Sequence, residues 1–312
     1  MKSITAFAPA TLANFNVGYD ILGLSLNNIG DEVELTFNNT GTNKIIEIIN
    51  GDGLPYEVEK NCCSVVIRKM QEAQNDFRGV DIRLKKGFAA GSGLGSSSAS
   101  SAAAAYGYNH LIDSPYTSKE LVAFAAEGER VACGTDHVDN VAPSLLGGII
   151  LAKGKNPDDL IKLPLIDNLY IVTLYPNITV NTADSRKLLE DQVPLDTYIK
   201  QVAYMGTFVA GLYEKNLRLV ADSLRDLVVE PARSFLIPHF KEMKSMAMTN
   251  DAMSFGISGS GPSIFALAEG EENAKRIEAA LLKIYEDGNI ATQTFINALV
   301  ENSGARILNP KP

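Results

Sequence analysis

The chain is short of cysteine and of positive charge and has no long apolar run, and each shortage closes a class of function. Its 312 residues include three cysteines, Cys62, Cys63 and Cys133. They form no Cys-x-x-Cys motif, and the adjacent Cys62 and Cys63 are a poor basis for a disulfide framework, so a reducing compartment is expected. Lys and Arg number 28 against 37 Asp and Glu, a formal charge of −9. That balance argues against nucleic acid or an anionic membrane as partner and leaves room for a local basic pocket only. No stretch approaches the roughly 18 apolar residues of a membrane span, and Met1 to Phe7 lack the apolar core and cleavage site of a leader. A cytoplasmic, unprocessed chain is the expectation. His110, His137 and His239 stand too far apart in sequence for a zinc spacing. What the chain does have is a 46 % hydrophobic content, enough for one large domain or two smaller ones.

The most informative stretch is Gly91-Ser92-Gly93-Leu94-Gly95-Ser96-Ser97-Ser98-Ala99, between the strand-like Val80–Lys86 and an alanine-rich helix beginning near Ser96. Glycines let backbone approach backbone and take positive φ. Consecutive N–H groups can therefore turn toward one anion while the helix adds its positive end. Serines at the helix start can cap it or ligate magnesium beside phosphates. A flexible Gly/Ser linker is the alternative on composition, but a linker needs neither Leu94 nor the helix-forming Ala102–Ala105 that follows. No lysine follows the glycines as a Walker loop requires, and the dinucleotide fingerprint fails at Ser96.

Along the chain, strands are expected at Ile4–Ala8, Glu32–Phe37, Lys44–Ile49, Val80–Leu84, Gly147–Ala152, Leu169–Tyr175, Met253–Ser258, Ser263–Ala268 and Thr292–Leu299. Helical periodicity marks Ser64–Ala73, Ser96–Leu111, Ser118–Ala132 with Ser118 as N-cap, Thr182–Glu190, Thr197–Tyr213, Leu217–Leu227, His239–Met248 and Glu271–Glu286. The loop Lys153–Asp159 leads to the boundary between the two halves. Antiparallel sheets with helices on one side, in two lobes, fit this order better than a doubly wound fold.

Three more segments concentrate polar groups. Pro9 to Gly23, read as a loop after the first strand, carries Asn14 and Asp20 and is open to two readings, an ordinary turn or a grip on a small polar substrate. Glu129 closes a helix whose dipole disfavours it unless it meets a cation, whereas Glu127 reads as a solvated helix end. His137, Asp139 and Asn140 follow it. Phe255 to Ser263 contains Gly-Ser-Gly-Pro, and from that segment alone a tight hairpin is the preferred reading over a second set of N–H donors.

In this order the segments resemble the GHMP kinase superfamily over nearly the whole chain. Within it, Asn14, Asp20, the run His137 to Pro143, Arg186 after Thr182, and Pro231-Ala232-Arg233 match the homoserine kinase family. The resemblance implies an α+β, two-lobed GHMP kinase fold. Its N-terminal ribosomal-protein-like α/β domain covers residues 1–165 and binds ATP, and its C-terminal ferredoxin-like α+β domain covers 166–312. It implies an ATP-dependent kinase acting on the hydroxyl of L-homoserine, with Mg2+, as a homodimer. ATP would contact Asn61, Gly91, Ser92, Gly93, Leu94, Gly95, Ser96, Ser97, Ser98, Ser258 and Gly259, with Ser97 and Glu129 on the metal. Asn14, Asp20, His137, Asn140, Thr182, Arg186 and Arg233 would hold the substrate, Asp20 taking the ammonium and the two arginines the carboxylate. Asn14 and Asn140 would lie nearest the attacking hydroxyl, with no dedicated base. The chain departs from the family pattern at Phe88-Ala89, where a proline usually opens the phosphate motif, and at Val17, where the first motif has proline. A mevalonate-type kinase and a catalytically silent regulator on the same scaffold are the other readings.

Overall fold

Apolar residues alternate along Ile29–Leu35 and Val80–Leu84, and these two runs form the centre of the larger of two β-sheets in this computed structural model. The structure describes residues 2–178, 180, 182–300 and 304–308, with only the backbone at 182–184. The larger sheet contains β1 (Ser3–Ala13), β2 (Leu22–Phe37), β3 (Lys44–Ile49), β4 (Val80–Lys85), β5 (Ile149–Ala152) and β6 (Leu160–Leu163). Packed with it are α1 (Cys62–Gln74), α2 (Ser96–Leu111), α3 (Ser118–Cys133) and α4 (Val138–Leu146). The second half supplies β7 (Leu169–Pro176), β8 (Ser254–Ile257), β9 (Ile264–Glu269) and β10 (Thr292–Ala298). Its helices are α5 (Thr182–Lys187), α6 (Leu195–Tyr213), α7 (Leu217–Ser223), α8 (Val229–Arg233), α9 (Phe240–Thr249) and α10 (Glu271–Asp287). A last strand, β11 (Arg306–Leu308), returns to pair with β1.

Strand order is β11-β1-β2-β4-β3 in the first sheet, with β5 bridging β2 and β6, and β10-β7-β9-β8 in the second. The pairs are antiparallel except β3 with β4. Residues from both sheets share one apolar cluster, in which Leu12, Leu24, Phe88 and Leu94 meet Ile171, Phe208 and Phe265. Phe15 sits at its centre, stacked on Phe265 at 5.4 Å between ring centroids and edge-on to Phe208 at 5.7 Å. No helix among the described residues is long and apolar enough to cross a membrane. The fold is the two-lobed α+β arrangement expected.

Several expectations need correction. Pro9–Ala13 is strand, not loop, because β1 runs on to Ala13 beside the first residues of a β2 that itself begins at Leu22. Thr117, not Ser118, caps α3, in a capping box with Glu120. The segment after Glu129 folds into α4, with Pro143 inside that helix. Helix α7 stops at Ser223, and Asp226 then accepts the backbone N–H groups of Val228, Val229 and Glu230 at 2.9, 2.7 and 2.9 Å, setting up α8.

Candidate active site

The turn between β1 and β2 is built on left-handed residues: Asn14, Phe15 and Asn16 have φ of 70°, 41° and 59°, and Asp20 has 59°. Asparagine and aspartate tolerate this region, and the packing of Phe15 between Phe208 and Phe265 holds the phenylalanine there. Asn14 ties the turn together, accepting from Asp20 N at 3.0 Å and donating to Gly259 O at 3.1 Å. One lone pair and one N–H of its amide remain. Asn16 is buried and donates to Ser254 Oγ and Phe255 O.

The glycine run leaves β4 and folds under this turn. Gly91, Gly93 and Gly95 take φ of 74°, 78° and 66°. A side chain at Gly95 would collide with Thr11 Oγ1, and one at Gly93 would lie 2.6 Å from Gly261 O. Both positions therefore require glycine on conformation and on space. Gly95 is also the N-cap of α2 and supplies no side-chain cap, and the first turn holds no acidic residue. The leading N–H groups of α2 consequently lack the usual side-chain acceptor, the state in which a helix start attracts an anion. The Phe255–Ser263 segment is a hairpin between β8 and β9, and it also faces the glycine run: Ser258 Oγ donates to Gly93 O at 2.7 Å and Ser263 N to Ser92 O at 3.2 Å.

Beneath the run lies a buried ion pair that sequence reasoning missed. Lys86, 3 % exposed, pairs with Asp31, 0 % exposed, and donates to Ser96 O at 2.9 Å and Ser100 Oγ at 3.0 Å, while Ser100 Oγ donates to Asp31 at 2.6 Å. This network fixes the first turn of α2 to the sheet. The signal was present in the two alternating runs, since Asp31 follows Ile29 and precedes Val33, and Lys86 follows Ile82 and Leu84, on inward positions.

Glu129 is buried near the end of α3. Its Oε2 accepts from Ser98 Oγ at 2.8 Å and its Oε1 lies 3.0 Å from His137 Nδ1. Burial opposes its charge, but hydrogen bonds from His137, Ser97 and Ser98 and the His137 charge outweigh that and hold it below the usual carboxylate range. Burial likewise opposes charge on His137, yet its bonds to Cys133 and Glu129 and the nearby Glu129 and Asp139 push its pKa up to about 10. The imidazole is therefore cationic at neutral pH. Asp139, named within the His137–Pro143 run but given no role there, is pushed up to about 7 by burial, with Asp20 and Glu129 adding repulsion and His137 opposing. Asn140 Oδ1 accepts from Thr11 Oγ1 at 2.7 Å, leaving its Nδ2 for the cavity. Glu127, by contrast, pairs at the surface with Arg130 at 3.0 Å.

Arg186 on α5 pairs with Asp20 across the cavity mouth. Arg233 on α8 is 3 % exposed, donates to Ser185 O at 3.0 Å and Tyr19 Oη at 3.3 Å, and packs its guanidinium 5.3 Å from the Tyr19 ring centroid. Among the described residues it meets no carboxylate at ion-pair distance. A buried guanidinium held, among the described residues, by neutral acceptors still has charge and N–H groups to offer an anion.

All these elements converge on one cavity of about 700 Å³. Asn14, Asp20, Asn61, Gly91, Gly93, Gly95, Ser96, Ser97, Glu129, His137, Asn140, Arg186, Arg233 and Gly259 line it. Ser92, Leu94, Ser98 and Ser258 do not: Leu94 is in the apolar core, and the three serine side chains bond behind the run, Ser92 Oγ to Leu94 N at 3.4 Å. Asn61 caps α1, accepting from Cys63 N at 3.0 Å and donating to Pro55 O at 2.9 Å, beside a slot walled by Leu54 and Pro55. The Thr182 side chain lies outside the described residues.

The chain matches the family models for the GHMP kinases N terminal domain over residues 60–148 and the GHMP kinases C terminal domain over 208–287. It is 41 % identical to a homoserine kinase of Chlorobium phaeobacteroides over 90 % of this chain and 91 % of that one. To one of Chloroherpeton thalassium it is 38 % identical over 99 % and 100 %. A crystal structure of homoserine kinase from Cytophaga hutchinsonii superposes with a TM-score of 0.95 at 41 % identity, covering 99 % of this chain and 98 % of that one.

Proposed function

Because the chain belongs to the homoserine kinase family of the GHMP kinases, ATP-dependent phosphotransferases acting on a hydroxyl, we propose that this cavity sets the side-chain hydroxyl of L-homoserine in line with the γ-phosphorus of ATP. The observation that carries the reading is the meeting, in one cavity, of the glycine run with Asp20, Arg186 and Arg233.

The triphosphate lies along the Gly91–Ser98 run, on the residues of it that face the cavity, Gly91, Gly93, Gly95, Ser96 and Ser97, at the uncapped start of α2, with the adenine toward Asn61 and the Leu54–Pro55 wall. The donor set suits Mg2+: Glu129 is held ionised, the Ser97 hydroxyl lies beside it, and a hard cation takes one or two protein oxygens and fills the rest with phosphate and water. Bound there, it supplies charge neutralisation on the phosphates. Homoserine is a zwitterion, and Asp20 and Arg186 already hold each other as its two ends would hold them. The ammonium takes Asp20, the carboxylate takes Arg186 and Arg233, and the exchange replaces one ion pair by three. Such a site leaves Asp20 without a cation when the substrate lacks an amine. Asn140 and Asn14 turn their free amide groups to the hydroxyl, and Thr182 is a further substrate contact by its match to the family pattern alone. His137 holds Glu129 and acts at the substrate end of the wall. An amide is no base, so the rate comes from alignment and charge stabilisation; as the homoserine O–P bond forms and the bond to ADP breaks, the hydroxyl proton passes to an oxygen of the incoming phosphoryl group.

We further propose a cytoplasmic homodimer with domains at 1–165 and 166–312, the last strand, β11, returning from the second to the sheet of the first. A coupled ADP-release assay with magnesium and a panel of hydroxy amino acids and polyol acids tests the function. ADP formation that depends on L-homoserine supports it, and turnover with mevalonate but not homoserine refutes it.

A further inference from the structure

Cys133 has no part in the reaction above, yet it stands on the wall of the same cavity, exposed, with its Sγ 3.4 Å from Ser97 Oγ. It lies one helical turn beyond Glu129 on α3, and His137 comes back to the same spot after Gly134 ends the helix in a left-handed conformation. One ligand atom each of Glu129, Cys133 and His137 lies within 4.8 Å of the others. From this gathering we propose that the cleft holds a second, softer cation site, a thiolate–imidazole–carboxylate site for Zn2+ that shuts the enzyme when filled.

Sequence spacing between histidines gave no such site, because only one of the ligands is histidine. The geometry supplies the rest. A tetrahedral zinc with bonds of about 2.0–2.3 Å sets its ligand atoms roughly 3.3–3.8 Å apart, a contraction within reach of an exposed cysteine at a helix end. His137 Nδ1 donates to Glu129 Oε1 at 3.0 Å, and once that one proton leaves, the lone pairs of both atoms face the same gap. The far atoms of both ligands are already held, Oε2 by Ser98 at 2.8 Å and Nε2 by Thr135 Oγ1 at 2.8 Å, which aims the near atoms into the gap. Binding sends the Cys133 thiol proton and the proton between Nδ1 and Oε1 to solvent, and the metal takes their place. Magnesium has no use for sulfur, whereas zinc favours it, so Cys133 separates the two ions. Zinc here takes Glu129 and crowds Ser97, the two groups assigned to magnesium, so its inhibitory effect rests on that assignment while its binding does not.

The test titrates Zn2+ into the active enzyme with magnesium and ATP in excess, for the wild type and for Cys133→Ser, and adds Co2+ to the free proteins for spectroscopy. Cys133→Ser keeps its uninhibited rate and needs at least about tenfold more zinc for half inhibition. Wild type with cobalt shows a thiolate-to-cobalt charge-transfer band that the variant lacks. Equal zinc sensitivity of the two proteins, or no such band in the wild type, overturns the proposal. The cobalt spectrum needs no turnover, so a band from a protein inactive on homoserine leaves this site standing and tells against the proposed function alone.

Discussion

Asp20 and Arg186 hold each other at the cavity mouth while Arg233 waits deeper, buried and, among the described residues, without a carboxylate at ion-pair distance. That difference in setting predicts different kinetics. Arg186→Met, half-exposed, is expected to lower kcat/KM for homoserine by about 10- to 100-fold, roughly 1.4–2.8 kcal/mol, chiefly through KM, and to leave KM for ATP unchanged in steady-state assays. Asp139 gives a prediction in pH. Its folded pKa, about 7, stands above the ordinary 3.8. Below the lower value the carboxyl is neutral in folded and unfolded chains alike, and above the higher one it is charged in both, with only the folded state bearing the burial cost. The stability it contributes is thus lost as pH rises between the two. Thermal melts of Asp139→Asn should gain on the wild type across that window. A constant difference contradicts the account. Sequence showed most of the polar residues of the cavity through their motifs, but it gave no role to Asp139, which stands inside one of them, or to Cys133, because their importance arises from what α4 and the end of α3 bring beside them.

At the scale of elements, α2 and the glycine run depend on what lies under them. Removing one partner of the buried Lys86–Asp31 pair strands a charge, so Lys86→Met should cost about 3–5 kcal/mol in urea unfolding and raise KM for ATP as the first turn of α2 loosens. The double variant Asp31→Leu with Lys86→Met removes both charges and should recover much of the stability while KM for ATP stays high, because Ser96 O and Ser100 still lose their anchor. The bounds of β3 and α2 could be read as they stand, since a β-branched run and an alanine run between clear breakers leave little choice. Elements whose signal is local conflict could not. Pro9–Ala13 has the composition of a loop yet is held as strand by β2, α4 carries a proline, and β6 and β11 span only 4 and 3 residues. Each is imposed by partners distant in sequence, which no window of neighbouring residues contains.

The whole molecule is two sheets joined through one apolar cluster, and the active cavity lies along that join, with the turn bearing Asn14 and Asp20 pinned by Phe15 against Phe208 and Phe265. Phe15→Ala should cost about 3–5 kcal/mol. Because the cluster belongs to both sheets, amide exchange at Leu12 and at Leu267 should speed up together. Acceleration confined to one sheet denies the join. The central claim is that one zwitterion exchanges for the Asp20–Arg186 pair opposite a triphosphate on the glycine run. A crystal structure with L-homoserine and a non-hydrolysable ATP analogue tests it most directly. The account predicts phosphate oxygens along the cavity-facing Gly91–Ser97 stretch of the run, Asp20 parted from Arg186, the ammonium on the first and the carboxylate between Arg186 and Arg233. An intact Asp20–Arg186 pair with the amino acid bound elsewhere contradicts it.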